Sequence, residues 1–91
     1  MAMIAVWLKI DEKRLEQSLQ EVGEKLDSAD GEIVLDFSSV QRVDPPAVQA
    51  LEKLAGLADE KKIKVVLRGV NVGVYKVFKL AKLTTRFSFL S

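Results

Sequence analysis

Glu32-Ile33-Val34-Leu35-Asp36-Phe37 is nearly all apolar, yet only six residues long. A run this short and this apolar is expected of a central strand covered on both faces. A second such run, Ile63 to Leu67, follows after one helix-length of chain. Between the two, Ala47, Leu51, Leu54, Ala55 and Ala58 recur at helical spacing, with Val48 and Leu57 flanking, so a helix from about Pro46 to Lys61 is expected. Strand, helix and strand joined by short links favour a parallel sheet with right-handed crossovers.

The rest of the chain extends the pattern. Ile4, Val6, Leu8 and Ile10 alternate with Ala5, Trp7 and Lys9, so residues 3–10 read as a strand. Asp11 can cap a helix over 12–27, whose Leu15, Leu19, Val22 and Leu26 share one face. Ser28-Ala29-Asp30-Gly31 is a turn. Ser38 to Asp44 is a connector anchored by Val40 and Val43. Gly69-Val70-Asn71 turns the chain, and Asn71 can cap a third helix over 72–82 that packs through Val74, Tyr75, Phe78 and Ala81. Arg86 to Leu90 can form a last short strand. The expected order is β-α-β-α-β-α-β in one α/β domain spanning residues 1–91.

Composition narrows the chemistry. The 91 residues include no Cys and no His, so disulfides, thiolate or imidazole metal sites and the commonest catalytic bases are all missing. An enzyme is not expected, nor a cofactor. No apolar run approaches the roughly 20 residues that cross a bilayer. The N-terminus lacks the pattern of a secretion signal, so a cytoplasmic protein is expected. Net charge is +1, but residues 61–91 hold eight basic groups and no acid. Lys76, Lys79 and Lys82 share a helix face that Lys61, Lys62 and Arg86 can extend. A solvated helix face is the plainer reading, with an acidic partner or an anionic surface as the alternative, and nucleic acid is not expected. A homodimer is compatible too, because an acidic half and a basic half can pair head to tail.

Val43-Asp44-Pro45-Pro46-Ala47 is the junction with most bearing on function. Asp is a favoured N-cap, and proline fits the first helical turn, where its missing N–H would be unpaired anyway. Asp36 and Asp44 sit near the C-terminal ends of strand-like segments, where α/β sheets place sites. Strand-end turn and helix cap are their better reading than a paired-carboxylate metal site. Gly69 to Gly73 opens a helix without matching a phosphate-binding fingerprint. A tight turn followed by a cap accounts for it better than a nucleotide or small-ligand site.

Together these residues resemble the STAS domain, the family of sulphate transporters and anti-sigma-factor antagonists. The likeness runs from Ile33-Val34-Leu35-Asp36-Phe37-Ser38 through Val43-Asp44, Val65-Val66-Leu67 and Gly69-Val70-Asn71. It closes at Val77-Phe78-Lys79-Leu80-Ala81-Lys82-Leu83 and covers about two-thirds of the chain. The resemblance implies a STAS-like sandwich with a mostly parallel sheet of four to five strands. It also implies a bacterial, non-catalytic docking module acting in signalling and transcription regulation. In the antagonists, the residue after the motif Asp is a Ser or Thr phosphorylated by a partner kinase. Here that residue is Pro45, so no phosphorylation is expected at the family position. The implied partner surface comprises Ser38, Ser39, Gln41, Arg42, Asp44, Pro45, Pro46 and Gln49, and the implied partner is an anti-sigma factor or kinase. Leu67-Arg68-Gly69-Val70-Asn71 with Val74-Tyr75-Lys76 and Lys79-Leu80 also looks like the STAS subunit of bacterial phospholipid-transport ABC systems. That likeness makes transporter subunits the alternative partners.

Overall fold

The computed structural model describes residues 6–28 and 31–90. Four strands, β1 Val6–Lys9, β2 Glu32–Asp36, β3 Lys64–Arg68 and β4 Ser88–Leu90, alternate with helices α1 Leu15–Lys25, α2 Pro45–Lys61 and α3 Val72–Leu80. The sheet order is β1-β2-β3-β4, and all three pairings are parallel. A sequential parallel sheet with right-handed crossovers places every connecting helix on the same face. The fold is one turn after another of strand and helix, a two-layer superhelix.

Side-chain parity follows from that arrangement. Leu8, Ile10, Ile33, Leu35, Phe37, Val65 and Leu67 face the helices and enter one core with Leu19, Leu51, Leu54 and Phe78. Phe78 sits at its centre, edge-on to Phe37, Phe87 and Phe89 at centroid distances of 6.2, 5.7 and 5.4 Å. The buried stripe of α2 is Ala47, Leu51, Leu54, Ala55 and Ala58, as its spacing predicts.

The opposite face of the sheet is where expectation and structure differ. Among the described residues, helices cover β2 on one side only. Trp7, Val34 and Val66 are register partners on the outer face, next to the row Lys9, Asp36 and Arg68. Val34 and Val66 are nevertheless only 5% and 3% exposed. Arg68 lies over the same face: its guanidinium carbon is 5.3 Å from the centroid of the Trp7 ring. Their strands, β3 and β1, stand roughly two spacings of ~4.8 Å apart, so the two side chains meet by each reaching over β2.

Several element ends also shift. The helix expected over 12–27 is a 3-10 turn at Glu12–Arg14, then α1, then a 3-10 turn at Leu26–Ser28. Arg14 (φ −133°, ψ 43°) leaves the helical region, so the Asp11 carboxylate caps only the short turn through the Lys13 N–H. α3 stops at Leu80, and Lys82 turns the chain with φ 60°. Tyr75 belongs less to the core than expected: it is part-exposed and lays its ring against Phe89 at 5.2 Å. The final strand begins at Ser88 instead of Arg86, because Arg86 closes the preceding turn onto Leu83 and pairs with Asp59. The first strand is described from Val6, so Met3, Ile4 and Ala5 lie outside the described residues, as do Ala29 and Asp30 of the expected turn.

Candidate functional site

The connector between β2 and α2 lies at the C-terminal edge of the sheet, and its neighbours hold it on both flanks. On the β1 side, the Ser39 hydroxyl donates to the Ile10 carbonyl at 3.1 Å. One oxygen of Glu12 accepts from two successive backbone N–H groups, those of Gln41 (2.6 Å) and Arg42 (2.9 Å). On the β3 side, the Asn71 amide nitrogen donates to the Val40 carbonyl at 3.3 Å. Gly69, at φ 74°, packs so closely that a Cβ there would meet the Ser38 Cα at 3.0 Å. Beneath, Val40 is fully buried. A loop tied this way holds its outward side chains on a nearly fixed frame.

The connector ends in a firm helix start. Asp44 has extended backbone (φ −88°, ψ 169°), and its carboxylate accepts from the Ala47 N–H at 3.1 Å. Pro45 and Pro46 occupy the first two helical positions, where neither misses a donor. At the other end of the connector, Asp36 accepts from the Ser38 N–H at 2.9 Å. Its carboxyl is held below the ordinary value of 3.8, mainly by the Ser38 hydroxyl and N–H, with Arg68 and Lys9 adding attraction. Each carboxylate is thus engaged with its own chain. Among the described residues, no three acidic side chains cluster as a metal site would require.

All eight candidate surface residues, Ser38, Ser39, Gln41, Arg42, Asp44, Pro45, Pro46 and Gln49, are exposed. They divide between two adjoining depressions and the loop crest. Gln41, Arg42 and Asp44 line a polar hollow against Glu12, Glu16 and Gln20. Pro46 and Gln49 line a groove of about 500 Å³ between α1 and α2, floored by Leu19, Ala50, Leu54 and Leu57. Glu16 and Gln20 border both, so the two hollows are continuous along α1. Pro45 lies between them at the N-terminus of α2.

Sequence reasoning missed Glu12, Glu16, Gln20 and Asn71 as parts of this surface. Nothing local marks Glu12, whose partners are 29 and 30 residues away. Asn71 is the cap its position predicts, accepting from the Val74 N–H at 2.7 Å. Its other amide atom braces the connector, so both ends are occupied and the Gly69–Gly73 turn is a turn with a cap. The basic surface is also smaller than expected: Lys61 pairs with Asp27 and Arg86 with Asp59, which leaves Lys62, Lys76, Lys79 and Lys82, the last lying beyond the end of α3 and off the expected helix face.

The parallel four-stranded superhelix, with a braced Asp-led loop at its sheet edge, defines a STAS-type module. The family model described as "Mlab, STAS domain" matches residues 4–90, and the chain belongs to the STAS domain family. Among solved structures, the chain is similar to one described as the NMR structure of the protein TM1081. It has a TM-score of 0.72 and 16% identity, covering 93% of this chain and 72% of that one. At that identity the likeness is one of fold. No curated protein matches the chain.

Proposed function

We propose that this chain is a non-catalytic docking module that engages a protein partner through the connector and the N-terminal turn of α2. Pro45 carries the reading. It stands on a rigid, exposed ledge directly after the capping Asp44, where related antagonists keep a phosphorylatable hydroxyl. A phosphate at a helix start adds nearly two negative charges and three acceptor oxygens, enough to remake a docked surface. Proline offers neither an oxygen to modify nor an N–H to donate. Engagement is therefore constitutive at this position, in contrast to a kinase-switched antagonist.

The transporter-subunit reading gains from one observation. The segment that resembles the phospholipid-transport STAS subunit, Leu67 to Asn71, braces the connector through Gly69 and Asn71, so it is part of the same surface. Both readings predict that Pro45→Glu weakens partner capture while leaving the fold intact. Pull-down from native extract with wild type and Pro45→Glu separates the outcomes. An anti-sigma factor or kinase among the lost proteins supports the first reading, and an ATPase or permease supports the second. Equal capture by the two forms removes this surface from consideration.

A further inference from the structure

The helical layer carries opposite charge at its two edges, and we infer that two copies of this chain pair face to face through it. The argument begins at α3. Its buried side chains are Val74 and Phe78, so helical periodicity turns Val72, Lys76, Lys79 and Leu80 away from the sheet. Leu80 is 85% exposed and Val72 73%, unusual exposures for aliphatic side chains on a short helix. Lys76 lies between them, one helical turn from each, and Lys79 beside them. No acid lies in residues 61–91 to neutralise this face.

Across the layer, α1 presents the complement. Glu16, Gln20 and Glu24 form its rim along the α1–α2 groove, whose floor is apolar and whose α2 side carries one cation, Lys53, against the two glutamates. Glu16 and Glu24 are eight residues apart, and so are Val72 and Leu80, about 12 Å along a helix in each case. The groove and the outer face of α3 lie on the same side of the molecule, because all three helices cover one face of the sheet. A twofold axis parallel to the helices therefore sets α3 of each copy over the α1–α2 groove of the other. Both contacts form at once and the pair closes, as the commonest soluble assemblies do. The area suffices: a molecule of 37 × 24 × 23 Å offers on a broad face about the ~800 Å² per partner of a standard interface. This pairing does not depend on the docking role proposed above, but it covers Pro46 and Gln49 and so competes with any partner bound there.

Sedimentation velocity on the purified chain tests the inference without any partner. Dimers should form as concentration rises toward ~1 mM at low salt. They should weaken at least ~10-fold when salt shortens the Debye length from ~30 Å to ~3 Å. The double variants Lys76→Glu/Lys79→Glu and Glu16→Lys/Glu24→Lys should each remain monomeric, with unchanged far-ultraviolet circular dichroism. Mixed in equal amounts, they should form a heterodimer, because each contact again joins opposite charges. A wild type that stays monomeric throughout overturns the proposal, and so does a dimer indifferent to both charge reversals. Open-ended polymers refute the closed twofold. Binding of α3 to vesicles containing ~30% phosphatidylserine by a chain that never self-associates would assign this face to anionic lipid instead.

Discussion

Asp44, Glu12 and Asp36 are three carboxylates within one loop system, and each is committed to a different structural task. Asp44 caps α2, so Asp44→Ala should cost about 1 kcal/mol in urea unfolding. Glu12 gathers two N–H groups of the connector; Glu12→Ala should speed hydrogen exchange at Gln41 and Arg42 and leave core amides unchanged. The Asp36 carboxyl has a folded-state pKa below 3.8, so its contribution to stability is fully present above that value. It is lost as pH falls through the lower, folded pKa. Wild type should therefore exceed Asp36→Asn in unfolding midpoint near neutrality, with the gap closing in strong acid. A gap that widens on acidification would contradict the assignment. Gly69 is held by geometry instead of charge. Gly69→Ala combines φ 74° with a 3.0 Å approach to the Ser38 Cα, and should destabilise by more than ~1 kcal/mol.

Helix ends show how local sequence and neighbours share control. α2 has its start written into its own residues, Asp44-Pro45-Pro46, whereas it finishes at Lys62 in the left-handed region at φ 57°, which nothing in a lysine favours. A lysine there is tolerated at a cost that glycine avoids, so Lys62→Gly should raise thermal stability, by about 0.5–1 kcal/mol. Full periodicity from Ala47 to Ala58 made this helix readable in advance. α1 was less readable, because its first turn is diverted by a contact. Glu12 reaches the connector some thirty residues away, and the chain breaks helical geometry at Arg14. No window of neighbouring residues contains that information.

At the scale of the whole molecule, the sheet has a helix-covered face and a face roofed by its own side chains. The lone Trp7 reports on that roof. Arg68→Ala removes the cation over the ring and the stem crossing β2, which should change Trp7 fluorescence and cost up to about 1 kcal/mol. Unaltered emission would show that the guanidinium does not rest on the ring in solution. Phe78 touches three other aromatic rings, and Phe78→Ala should cost about 3–5 kcal/mol, a loss measurable by denaturant unfolding.

Element type and order, the strand parity of Leu8 and Ile10 against Trp7 and Lys9, and the Asp44-Pro45 helix start were all legible in the chain. Each rests on spacing or on the conformational limits of one or two residues, which act over a single turn or strand. Where the connector is tied, which lysines stay unpaired, and what covers the outer sheet face were decided only by folding. Glu12 meets Gln41, Lys61 meets Asp27, and Arg68 meets Trp7 across separations from 29 to 61 residues. Such pairs exist only once the strands have stacked in register, and the proposed docking ledge is held by one of them, Glu12 with Gln41.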